Sequence, residues 1–173
     1  RPSHGVDLTM HGGSDIQSAF PAPTPAVLEA TDLLGLVAHR FPFLLVDRVE
    51  VAEPGRRVVG LKRVTGNEWC SVFSGDGRPF PMPGMLVIEA LAQTSAALLV
   101  GLASTDEDLI GYFAALTKVR LREPAQPGET LRLTVQLNSF RRGIARLQGL
   151  AAVDGRTVAT AEFVTVVRPR PRG

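Results

Sequence analysis

The chain has 173 residues, a length that favours one domain over two. Its single cysteine excludes a disulfide framework and a cysteine-based zinc cluster, and 45% apolar with 21% charged residues is the composition of a soluble globular protein. The net charge of +2 conceals an asymmetry, because residues 1–117 carry 8 Lys+Arg against 13 Asp+Glu (−5) while residues 118–173 carry 11 against 4 (+7).

Residues 1–25 contain ten Gly, Pro or Ser and show no period, so they read as a flexible leader outside the fold. No basic run followed by an apolar stretch opens the chain, and the longest apolar run elsewhere is broken by Glu89 and Gln93, which reads as cytoplasmic and not membrane-spanning. Thr31 is placed to cap a short helix from Asp32 to Val37, followed by an extended Phe41-Pro42-Phe43. Leu44 to Ala52 and Arg57 to Val64 read as strands joined at Glu53-Pro54-Gly55, with a third short strand around Trp69 to Phe73. A Gly- and Pro-rich loop, residues 74–82, ends at Pro83-Gly84, and Pro83 suits a helix start. From Met85 to Leu102 the pattern is helical and apolar on nearly every side, the signature of a buried helix. Ile110 to Val119, Thr130 to Leu137, Ile144 to Val153 and Thr157 to Val167 read as four strands of an antiparallel meander. Asp154-Gly155 marks a type I′ hairpin, Pro124 to Gly128 reads as the other turn, and residues 168–173 form a basic tail.

A central apolar helix needs a cover, and the available cover is a long antiparallel sheet. The expected class is α+β, one sheet wrapped around one buried helix, as a single domain over residues 26–167. Of the basic residues 17 are Arg and 2 are Lys, which suits forked contacts with phosphates and carboxylates. Nucleic acid is disfavoured, since there is no basic helix, no finger spacing and no interleaving of aromatic and basic residues. An acidic protein partner suits the same surface.

Three blocks in order then carry a resemblance: His39-Arg40-Phe41-Pro42-Phe43-Leu44-Leu45-Val46-Asp47-Arg48-Val49, Gly66-Asn67-Glu68, and Met82 through Gln93 with the run Ile88-Glu89-Ala90-Leu91-Ala92-Gln93. With Lys118-Val119-Arg120, Pro127-Gly128 and Arg141-Arg142-Gly143-Ile144, the match extends over about residues 31–167 and resembles the FabZ/FabA-type 3-hydroxyacyl-(acyl-carrier-protein) dehydratases. That resemblance implies the hotdog fold, dimers, acyl carrier protein as a partner, and no cofactor or metal.

In the resembled family a loop histidine works with the helix glutamate, because removing water from a 3-hydroxyacyl thioester needs a base for the α-proton and an acid for the departing hydroxyl. Here the acid is present as Glu89, with Gln93 one turn later as support. A carboxyl among apolar side chains holds its proton more tightly than in water unless it is paired, as a general acid requires. The family's histidine falls on Ser74, whose hydroxyl lacks a lone pair basic enough for the α-proton, and its neighbours fall on Gly75 and Asp76. Pro81 is an extra residue in the same loop. Gly77 matches the glycine whose backbone amide would polarise the thioester carbonyl. His39, within the N-terminal motif, reads as packing or hydrogen bonding, and Cys70 as a small buried hydrophobe.

In the resembled family each site is built from two protomers, so a chain with Glu89 but without the histidine would donate its acid to a site completed by a His-bearing partner subunit. A hotdog thioesterase using Glu89, with Thr94 or Ser95 assisting, is the alternative enzyme. A non-catalytic scaffold or carrier-binding protein is the alternative without chemistry. Lys118, Arg120, Arg122, Arg141, Arg142 and Arg146 are the expected carrier-binding residues, given the positive balance from Lys118 onward and the acidity of carrier proteins.

Overall fold

The computed structural model describes residues 27–69, 80–100 and 109–169. Residues 70–73 of the strand expected around Trp69 to Phe73, with Cys70 among them, Ser74 and Gly77 with their loop, the leader and the end of the basic tail lie outside the described residues, and Trp69 itself lies in a turn. The elements are β1 (Val27–Glu29), α1 (Ala30–Leu36), β2 (Arg48–Glu53), β3 (Arg57–Arg63), α2 (Gly84–Val100), β4 (Leu109–Leu121), β5 (Thr130–Arg141), β6 (Ile144–Val153) and β7 (Arg156–Pro169). The strands form one antiparallel sheet in the order β1-β2-β3-β5-β6-β7-β4, wrapped around α2. This is the α+β hotdog architecture.

α2 is buried as its composition requires. Val87, Leu91 and Leu98 pack into one core with Leu131, Leu133, Val135, Leu137, Leu147 and Phe163 of the sheet. The close approach of helix and sheet depends on missing side chains. At Gly60 on β3 a Cβ would land on the Thr94 hydroxyl, and at Gly149 on β6 it would stand 3.0 Å from Phe163 Cε1 and 3.1 Å from Leu91 Cδ1. Thr94 cannot easily give way, being fully buried with its hydroxyl donating to Ala90 O at 2.8 Å. Gly60→Ala is therefore expected to destabilise the fold by about 1–3 kcal/mol, the cost of overpacking. A thermal melt of the variant matching the wild type would show that helix and sheet are less tightly apposed.

Four expectations need correction. The short helix is capped by Glu29 and not Thr31, with the Glu29 N–H donating to Asp32 Oδ2 at 2.9 Å. Phe41-Pro42-Phe43 is a turn and not extended, since Phe43 and Leu44 N–H both return to Arg40 O, at 2.7 and 3.0 Å, and the Phe41–Pro42 peptide is cis. β2 begins at Arg48 and not Leu44, because the preceding segment is tied elsewhere: Leu45 N–H donates to Gln93 Oε1 of the helix. The last four strands are not a simple meander, for β4 lies outside β7 at the sheet edge while β5 sits inside against β3. The chain from Pro124 to Gly128 is thus a crossing and not a hairpin turn. Its Ala125 is fully buried and accepts from Met82 N–H at 2.9 Å, just before α2, and Gly128 N–H donates to Val64 O at 2.8 Å. The Asp154-Gly155 hairpin forms as expected, with φ of 48° and 84°.

The crossing ends at an ion pair, where Arg156 Nη2 reaches Glu129 Oε1 and Oε2 at 2.8 and 3.0 Å. The Gln126 backbone N–H, donating to Glu129 Oε2, is the larger cause that holds this carboxyl below its usual range; partial burial opposes it and Arg156 reinforces it. The folded value lies below the unfolded one, so the stabilisation is complete at neutral pH and is lost as pH falls through the folded-state titration. The pair is nearly a third exposed, which limits the effect to less than about 1 kcal/mol. Arg156→Gln is expected to lower Tm at pH 7 and to converge on the wild type in acid. A pH-independent difference in Tm would contradict this.

Candidate active site

The site is assembled from two parts of the chain fifty residues apart. On α2, Glu89 and Gln93 stand one turn apart, and Gln93 Nε2 donates to Glu89 Oε1 at 2.9 Å. Gln93 is 3% exposed and fully engaged: Nε2 also donates to Phe43 O at 2.8 Å, and Oε1 accepts Leu45 N–H at 2.9 Å. A single amide thus fastens the Phe41–Pro42 turn to the helix and holds the carboxylate between them.

The same fastening delivers His39. Its Nε2 lies 3.4 Å from Glu89 Oε1, and its ring lies against Phe43 with centroids 5.7 Å apart. Sequence reasoning placed His39 in a structural motif and missed this proximity. The link runs through the Gln93 amide to Phe43 O, which no local pattern reveals.

Glu89 is not enclosed by its helix. Its side chain is 25% exposed and borders two cavities. One, of about 180 Å³, is lined by His39, Gln93, Ser95, Phe113 and Thr165 among others; the second, of about 360 Å³, lies against Met85, Ile88, Phe113 and Leu116. Thr94 and Ser95 are occupied within the helix, donating to Ala90 O and to Ala92 O. Ser74 and Gly77 lie outside the described residues.

The second cavity opens beneath β4. This thirteen-residue edge strand is exposed along nearly its whole length, with Tyr112, Phe113, Leu116, Val119 and Leu121 all more than a third accessible. A long edge strand with apolar side chains is a template for another chain.

The six basic residues do not form one patch. Lys118, Arg120 and Arg122 follow the end of β4 opposite Thr160 and Glu162, and Lys118 is paired with Glu162 at 2.9 Å. Arg141 and Arg142 form the tip between β5 and β6, beside Val167 and Arg168, about 20 Å away at strand spacing. Arg146 lies between the two groups, opposite Val164. All six are exposed.

A family model described as FabA-like domain matches residues 37–162. The chain belongs to the FabA-like family. Its relatives include the 3-hydroxyacyl-(acyl-carrier-protein) dehydratase FabZ of Syntrophotalea carbinolica, 47% identical over 145 residues, which covers 83% of this chain and 97% of that protein. The FabZ of Roseiflexus castenholzii is 43% identical over 139 residues, covering 80% and 95%. Among solved structures, the dehydratase heterocomplex ApeI:P of Xenorhabdus doucetiae matches with a TM-score of 0.62 at 19% identity, over 81% of this chain and 91% of that one. A hypothetical thioesterase of Streptococcus pneumoniae solved with coenzyme A matches at 0.54 and 15% identity, over 72% and 88%. These structural likenesses carry the hotdog fold. Within this FabA-like chain, none of the described helices is long and apolar enough to cross a membrane.

Proposed function

We propose that this chain is the Glu-donating subunit of a 3-hydroxyacyl-(acyl-carrier-protein) dehydratase in fatty-acid or polyketide synthesis, working in a site shared with a His-bearing hotdog partner. The observation that carries the reading is the position of Glu89, fixed by Gln93 on the wall between two cavities, one of them under the open β4 edge. In the reaction the partner's base takes the α-proton, the freed electron pair forms the Cα–Cβ double bond, and the Cβ–O bond breaks as Glu89 gives its proton to the leaving hydroxyl. Water departs and Glu89 is left as a carboxylate. The FabZ names of relatives more than 40% identical favour this chemistry. The absence of a histidine at the family's loop position favours division of the site between unlike chains.

The test is dehydration of a 3-hydroxyacyl thioester by the chain alone and after co-purification with a His-bearing hotdog subunit. The lone chain is expected to be silent and the pair active. Thioester hydrolysis by the lone chain would instead make it a thioesterase, and an active lone homodimer would remove the need for a partner.

The substrate arrives on an acidic carrier, for which the tip formed by Arg141 and Arg142, close to Arg168, offers a complementary field. Changing both Arg141 and Arg142 to Ala is expected to weaken carrier binding about tenfold at low salt and to flatten its salt dependence. Unchanged affinity in a binding titration would place docking at the Lys118 end.

A further inference from the structure

A carboxyl alone is ionised at neutral pH, whereas a general acid must hold a proton when its substrate arrives. Among the described residues, His39 and Glu89 are the only titratable groups lining the two cavities, which α1's following loop, α2, β4 and β7 otherwise wall with apolar and uncharged side chains. Their reactive atoms, Nε2 and Oε1, are 3.4 Å apart, so a closure of a few tenths of an ångström makes a direct hydrogen bond. The imidazole is held to that task. Phe43 packs on its ring, Arg40 Nη1 ties the loop through the carbonyls of Val37 and His39 at 2.9 and 2.8 Å, and Nδ1 is buried without a hydrogen-bond partner. Only Nε2 faces a group that could exchange a proton with it.

We propose that His39 is the proton reservoir for Glu89. An imidazole is more basic than a carboxylate, so a proton shared between Nε2 and Oε1 is stored on the ring and reaches the substrate through the carboxyl. As the hydroxyl leaves, the one proton held by the pair passes from His39 Nε2 to Glu89 and from Glu89 to the departing oxygen; the neutral imidazole then regains a proton from solvent. His39 touches no reacting atom and acts through Glu89 as a positioning residue. This rests on the acid role of Glu89 proposed above.

Two variants separate the reservoir from packing. His39→Phe keeps a ring against Phe43, and His39→Gln keeps a hydrogen-bonding end without a titration. In the assembled dehydratase both are expected to lose about tenfold or more in kcat at pH 7 with KM unchanged, and to lose less as pH falls, so the alkaline limb of the profile moves toward acid. Unchanged kcat and profile, or an equal loss at every pH, would overturn the inference. Glu89→Gln assayed in parallel keeps the two claims apart: if that variant is active the acid role itself fails, and if it is dead while the His39 variants are normal only the reservoir fails. A readout without turnover is the His39 ring nitrogen resonance of the lone chain at pH 7. Glu89→Gln is expected to displace it, and an unmoved resonance would overturn the pairing.

Discussion

Glu89→Gln, introduced into the assembled dehydratase, is expected to leave assembly intact and to reduce kcat by about a hundredfold to ten thousandfold, the usual contribution of a general acid or base. The substitution nearly preserves size, and an amide oxygen in place of Oε1 still accepts from Gln93 Nε2, so the tie at 2.9 Å survives. The transferable proton is what disappears. KM is expected to change little, because the loss falls on the transition state, where the departing oxygen needs a proton, and not on the bound substrate. Steady-state kinetics beside a sizing profile checks both halves. A fully active, normally assembled Gln variant would reduce this chain to a scaffold.

The second large effect is expected at Gln93. Gln93→Leu fills similar space but strands Leu45 N–H and Phe43 O, and Gln93 is 3% exposed. Each buried backbone group left without a partner costs about 1–3 kcal/mol, so the loss should total about 2–5 kcal/mol by chemical denaturation. The same change frees the Phe41–Pro42 turn and with it His39, so activity of the assembled complex should fall further than Glu89's lost hydrogen bond alone explains. Wild-type stability in the Leu variant would show that water replaces the amide.

Much of this was legible before any coordinates. α2 was visible because seventeen residues with a near-continuous apolar surface can only be an interior helix, and the β6–β7 hairpin because Asp154-Gly155 accepts the left-handed backbone its turn demands. Glu89 and Gln93 were visible as polar exceptions on that helix. What stayed hidden was non-local. The exchange that puts β4 at the edge and β5 inside is a choice of neighbours, which strand patterns do not encode. His39 stayed hidden for the same reason. A histidine beside a Phe-Pro pair carries no local mark of a carboxylate fifty positions away, and the amide of Gln93, gripping Phe43 O and Glu89 together, holds the two 3.4 Å apart. The layout of the basic residues was hidden too, since charge counted along the chain does not tell that Lys118 stands on β4 near Glu162 while Arg142 stands at the β5–β6 tip.

The claim that this chain lends its acid to a shared site is tested most directly by complementation. A His-bearing hotdog subunit is stripped of its own helix carboxyl, so that it cannot turn over alone, and is mixed with this chain in wild-type form or as Glu89→Gln. Rapid-quench measurement of 3-hydroxyacyl thioester dehydration is expected to show activity restored by the wild-type chain and absent with the Gln variant. Equal restoration by both, or by neither while the complex forms, would contradict a site completed by Glu89.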